Sequence, residues 1–202
     1  KRYGMKKIVV GITGASGALY AVKLISILRK NPVESHVVIS EMGVQVLEHE
    51  LRINRKEIPL ILTGSQESDE TPGKTIIHDV RDMFAPVASG SFQTDGMVII
   101  PCSMKTLSAV ANGYTTNLLE RAADVALKEK LPLILLTRES PLGRVHMINM
   151  LKAHEAGAVI MPACPGFYYH PGTIDDLANF VVSRVLDHLK IDYPNPLRWK
   201  SE

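Results

Sequence analysis

Apolar residues in this chain follow two rhythms that alternate from one end to the other. Between Lys6 and Leu28 a run rich in β-branched residues, Ile8-Val9-Val10 to Ile12, passes through Thr13-Gly14-Ala15-Ser16-Gly17 into Leu19, Val22, Leu24, Ile25 and Leu28, which have helical spacing. This predicts a strand, a tight loop and a helix. The alternation then repeats, with a strand over Ser35 to Ser40 and a helix over Gly43 to Leu51. A strand over Met97 to Pro101 follows, and Cys102-Ser103-Met104-Lys105-Thr106 opens a helix carried by Leu107, Val110 and Ala111. Asn117 to Lys130 predicts a helix, Leu131 to Thr137 a strand, Arg144 to Ala156 a helix, Ala158 to Met161 a strand and Ile174 to Leu189 the last helix. Five strands alternating with helices predict an α/β protein whose mostly parallel sheet is covered by helices on both faces.

Two stretches break the rhythm. Asn54 to Thr75 shows no sustained period and gathers Gly64, Ser65, Ser68, Pro72 and Gly73, which predicts a surface excursion or a weak helix. Met83 to Asp95 is a long loop of small residues, where hydroxyls such as Ser89 and Ser91 permit close backbone approach to a ligand. At 202 residues the chain is expected to form one domain, and 46% hydrophobic with 22% charged residues is a globular composition. No apolar run reaches the roughly 20 residues needed to span a bilayer, and no signal-peptide pattern precedes the first strand, so the expected location is the cytoplasm. Two cysteines, Cys102 and Cys164, form no disulfide framework. A net charge of +2 with interspersed signs and few aromatic residues argues against a nucleic-acid partner.

The strand-loop-helix at the start exposes backbone N–H groups at the positive end of a helix, a site suited to phosphate. Gly11, Gly14 and Gly17 give GxxGxxG rather than the dinucleotide GxGxxG, and GxxxxGK[ST] is absent, so a mononucleotide or flavin phosphate fits better than NAD or a P-loop nucleotide. Glu41 directly follows the second strand, and Arg138-Glu139 end the fourth predicted strand, where open α/β sheets hold ligands. Ser103, Lys105 and Thr106 at the second strand-to-helix junction can cap or bind phosphate. Glu48 and Glu50 read as a solvated helix face, and Arg121, Asp124 and Lys128 as an ion-pair row. Cys102 has no paired base and reads as a small buried residue. Neither a zinc spacing nor a GxSxG elbow is found.

With these pieces the chain resembles the UbiX-type flavin prenyltransferases. The matching stretches are GITGASGALY, Val38-Ile39-Ser40, APVASGSFQTDGMVIIPCSMKTLSAVANGY, NLLERAADVALKE, PLILLTRESPL, HMINMLK, GAVIMPACPGFYYHP and the terminal RW. They run in one order along nearly the whole chain, apart from Asn54 to Thr75. The resemblance implies a three-layer Rossmann-like, flavodoxin-like flavoprotein. Its expected activity transfers dimethylallyl from dimethylallyl phosphate to reduced FMN, closing a ring between N5 and C6. The flavin is consumed, and the product serves a UbiD-type decarboxylase. Members of the family are metal-independent and dodecameric.

By matching position the resemblance assigns Gly14, Ala15, Ser16, Ser40, Ser103, Met104, Lys105, Thr106 and Arg138 to FMN. Lys128, Tyr168 and Arg184 would hold the allylic phosphate, and Ser89 and Trp199 would help wall the site. Glu139, Glu50 and Ser16 would stand at the reacting centre, and residues 190–202 would form a tail over it. Lys128 lies within a helix and reaches a phosphate only where that helix borders the site, for instance from a neighbouring subunit. Two rivals share the flavin loops: an FMN-dependent decarboxylase acting on peptidyl cysteine, and a non-catalytic FMN carrier. The set Lys128, Tyr168 and Arg184 favours the prenyltransferase over the first.

Overall fold

A computed structural model describes residues 5–64 and 72–193 of the chain. Its strands are β1 (Lys6–Ile12), β2 (Val33–Ile39), β3 (Lys74–His78), β4 (Gly96–Cys102), β5 (Leu133–Thr137) and β6 (Val159–Pro162). They form one sheet in the order β3-β2-β1-β4-β5-β6, and every pairing is parallel. Parallel neighbours require crossovers, which the helices supply. These are α1 (Ala18–Arg29), α2 (Glu41–Leu51), α3 (Ile58–Thr63), α4 (Met104–Asn112), α5 (Leu118–Lys128), α6 (Arg144–Glu155) and α7 (Ile174–His188). The order reverses between β1 and β4, the switch point at which doubly wound sheets open a crevice for ligands.

Alternation along the strands builds two cores. Ile8, Val10, Ile12, Val37, Val98, Ile100, Ile134 and Leu136 pack with α1, α2, α3 and α7. Their sequence neighbours Val9, Met97, Ile99, Leu133 and Leu135 pack with α4, α5 and α6 on the other face. A strand buried on both sides reads as a continuous apolar run, which is why β1, β4 and β5 are legible in the sequence.

The sixth strand is the difference from expectation. β3 starts within the aperiodic stretch and is an edge strand, pairing only with β2 among the described residues. None of its five residues is fully buried, so its only apolar signal is Ile76-Ile77. The same stretch holds a 3-10 turn at Arg55–Glu57 and the six-residue α3, both too short to show a period. Trp199 and the tail from residue 194 onward lie outside the described residues, as do residues 65–71.

Candidate functional site

The three glycines of the first loop do three different things. Gly11 lies inside β1, where a Cβ would sit 3.1 Å from Leu119, so its smallness lets α5 close onto the sheet. At Gly14 a Cβ would come within 2.5 Å of the Cβ of Met42, so the loop rides against the first turn of α2. Gly17 adopts φ +120° and precedes α1, a conformation that side chains rarely adopt.

Glu50 overturns the reading of this loop as an open anion site. From the last turn of α2 its carboxylate accepts the backbone N–H of Gly17 at 3.0 Å and of Ala18 at 2.8 Å. The positive end of α1 already faces a carboxylate. Glu50 is therefore not the plain solvated residue its place at a helix end suggested, because it gains from the dipole of a different helix. Partial burial alone would raise its carboxyl. Bonds from the Ser16 hydroxyl and from the Ala18 and Gly17 amides, with the nearby Arg138 charge, outweigh burial and hold it below the usual range.

The second junction is arranged differently. Ser103 caps α4, its Oγ accepting the Thr106 N–H at 3.3 Å and lying 3.2 Å from the Thr106 hydroxyl. Thr13, which is buried, ties this junction to the first one. Its hydroxyl donates to the Pro101 carbonyl at 2.7 Å and accepts the Ser103 N–H at 2.8 Å, bridging the ends of β1 and β4. Ser40 caps α2 in the same manner, accepting the Gly43 N–H at 3.0 Å. Between these turns lies a cleft of about 470 Å³ whose lining includes Gly14, Ser40, Met42, Ser103, Lys105 and Thr106. Five of the residues assigned to the cofactor thus meet at the switch point. Ala15 and Met104 are buried and do not line the cleft.

The far wall of the cleft comes from Asn117 and Glu120 of α5, which the sequence reading passed over. Glu120 is buried, forms an ion pair with Lys105, and accepts from the Thr116 amide at 2.9 Å and the Thr116 hydroxyl at 2.6 Å. Asn117 caps α5 at 3.0 Å. The pattern Asn-x-x-Glu ahead of an apolar run is a visible helix-start signature, and here its Glu turns toward the cleft. Glu41, weighed above as an acidic ligand partner, lines the cleft too, but its carboxylate is held by both arms of Arg55 at 2.8 and 3.0 Å.

Arg138 and Tyr20 stand near Glu50, and Cys164 stands near Tyr20. Burial, with the neighbouring Cys164 sulfur, pushes the Tyr20 phenol up against an opposing pull from Arg138. Glu139 is exposed, and one of its oxygens accepts the Ser140 N–H at 3.0 Å. Cys102 is fully buried and its thiol is pushed up to about 12, in keeping with its reading as a packing residue.

The residues assigned to the allylic phosphate do not join this cleft within one chain. Lys128 ends α5, about 15 Å along the helix from the turn that lines the cleft. There it meets the Ser89 loop: a Cβ on Gly90 would lie 2.7 Å from the Lys128 Nζ, which pairs with Glu129 at 2.6 Å. The expected row of Arg121, Asp124 and Lys128 is therefore only partly formed. Arg121 binds Asp124 at 2.7 Å and donates to the Ala88 carbonyl at 3.1 Å, and Lys128 turns to Glu129. Tyr168 and Arg184 lie on the opposite face of the sheet with α7. The Tyr168 ring meets Phe180, one helical turn before Arg184, at 5.8 Å. A further cleft of about 580 Å³ near Lys6 and Pro32 sits at the amino ends of β1 and β2, away from the residues assigned to the flavin and the allylic phosphate, and Lys190, Ile191 and Asp192, the start of the expected tail, line it.

A profile described as Flavoprotein matches residues 1–186. The flavin prenyltransferase UbiX of Halalkalibacterium halodurans is 47% identical over 193 residues, covering 96% of this chain and 93% of that protein. The fold is similar to that of a UbiX protein crystallised with FMN and dimethylallyl pyrophosphate, with a TM-score of 0.87, 40% identity and 98% of each chain covered. A dodecameric FMN-dependent UbiX-like decarboxylase from Escherichia coli O157:H7 matches with a TM-score of 0.86 and 41% identity, over 96% of this chain and all of the other.

Proposed function

The chain belongs to the flavoprotein family and, within it, to the UbiX-type flavin prenyltransferases, and from that premise we propose how its own residues divide the reaction. The acceptor is FMN in its reduced form, consumed as a substrate, and the donor we assign is dimethylallyl phosphate. The flavin supplies N5 and C6 as the two positions at which the new ring closes. The observation that carries the reading is the cleft at the β1/β4 switch point, where Gly14, Ser40, Ser103, Lys105 and Thr106 converge. A phosphate fits this donor set: hydroxyls, the amides at the start of α4 and one ammonium group. It fits the first loop poorly, since Glu50 fills that position. Gly14, Ala15, Ser16, Met104 and Arg138 would hold the ring system.

At the reacting end, Ser16 and Glu50 share a hydrogen bond and Arg138 lies close by, a group able to hold or pass a proton while fixing the ring. Glu139 serves as a second proton relay. Lys128, Tyr168 and Arg184 stabilise the charge that grows on the phosphate as the allylic C–O bond breaks. Ser89 and Trp199 help to exclude water. Because α5 and α7 cover opposite faces, the donor set is completed by neighbouring copies: Lys128 and Ser89 of one subunit reach Tyr168 and Arg184 of another. The dodecameric relative supports this reading, as does an α6 that exposes Val145, Met147 and Leu151.

We assign the product to a UbiD-type decarboxylase and the location to the cytoplasm. Among the described residues no helix is long and apolar enough to cross a membrane. The test is incubation with reduced FMN and dimethylallyl phosphate without oxygen, followed by mass measurement of the flavin. A gain of one C5 unit is expected. An unchanged mass overturns the reading and leaves a carrier or a decarboxylase.

A further inference from the structure

We propose that Glu120 is a positioning residue that moderates the grip on the flavin phosphate, so that each prenylated flavin can leave. The inference rests on the reading that the start of α4 takes that phosphate. Lys105 is the one cation among the described residues lining the cleft, against two carboxylates, Glu120 and Glu41, of which Arg55 already binds Glu41. Its ammonium is not free: Glu120 binds it, and the Glu120 side chain is only 1% exposed whereas that of Lys105 is 71% exposed. The second oxygen of Glu120 is fixed by the Thr116 amide and hydroxyl, at 2.9 and 2.6 Å, so the carboxylate cannot swing away. Burial alone would raise this carboxyl, but the bonds from Lys105 and Thr116 hold it below its ordinary value, so Glu120 stays ionised at neutral pH.

A buried carboxylate beside a dianion is costly unless it does something for the reaction. A flavoenzyme that keeps its cofactor gains from the tightest available hold. Here the flavin is used up at each turnover, and product and substrate carry the same phosphate. Compensating Lys105 leaves the phosphate to hydroxyl and amide donors, which orient it without the full Coulomb attraction of an unpaired ammonium.

The test measures binding of FMN and of riboflavin, which lacks the phosphate, to Glu120→Gln, Lys105→Met and the double variant. Glu120→Gln is expected to tighten FMN about tenfold at low salt and to leave riboflavin unchanged. It should also slow steady-state turnover relative to a single turnover. Lys105→Met should loosen FMN, and the double variant, with no net charge change, should return close to the parent affinity. FMN affinity that is unchanged or weaker in folded Glu120→Gln, or an equal shift for riboflavin, overturns the proposal. Where Glu120→Gln does not fold, the double variant decides, and FMN affinity tenfold below the parent overturns it. Ser103→Ala separates the underlying reading: it should loosen FMN alone, and an equal loss for riboflavin would mean that the phosphate lies elsewhere.

Discussion

Glu50 carries the largest change between what its place in the chain suggests and what it does. Its sequence position, the end of a helix, offers no electrostatic benefit, and only the tertiary approach of α2 to α1 creates one. Capping groups of this kind contribute about 1 kcal/mol. The carboxyl is held below its unfolded value, so its contribution is complete above the unfolded pKa of about 4.3 and drains away as the pH falls through the lower folded value. Thermal melts of the parent and of Glu50→Gln should therefore differ by a constant amount from pH 7 to 5 and converge in more acid solution. A gap that widens toward low pH would contradict the assignment. Thr13 was illegible for a related reason: a buried threonine at a strand end becomes a brace only once β4 is known to lie beside β1.

At the scale of elements, the sequence exposed what local physics controls. β1, β4 and β5 are buried on both faces and read as apolar runs, and α1 and α7 show their periods over more than ten residues. β3 was hidden because an edge strand buries too little to leave a pattern, and α3, six residues long, was legible only as the weak helix weighed for that stretch. Ser103 was legible as a cap or a phosphate donor, since a hydroxyl at a strand-to-helix turn serves either use, whereas Ser40 was read as the end of the second strand and shows its cap only in the structure. The glycine-rich loop was legible as special but not in its parts. Two glycines separate crowding from conformation. Gly14→Ala drives a methyl group onto the Met42 Cβ and should cost about 1 to 3 kcal/mol together with a loss of flavin affinity. Gly113→Ala meets no atom within 4 Å, yet its φ of +70° should cost about 1 kcal/mol with affinity intact. Chemical denaturation and flavin titration on both variants check the pair, and equal affinity losses would refute the close approach at Gly14.

The whole molecule divides the assigned residues between its two faces, a division that only the folded chain reveals. Lys128 and Ser89 belong to the α5 side and Tyr168 and Arg184 to the α7 side. Lys128→Ala and Arg184→Ala should each lose prenylation while still binding FMN. When the two variants are dissociated, mixed and reassembled, activity should reappear, because some sites receive an intact lysine from one copy and an intact arginine from another. Mixtures that stay inactive would show that both groups come from the same chain. In such an assembly α5 has a place in two reaction centres at once, its first turn in the cleft of its own subunit and its last turn in that of a neighbour. A lesion in this helix is therefore counted twice, and in a mixed population of sound and damaged subunits the output falls faster than the share of damaged copies.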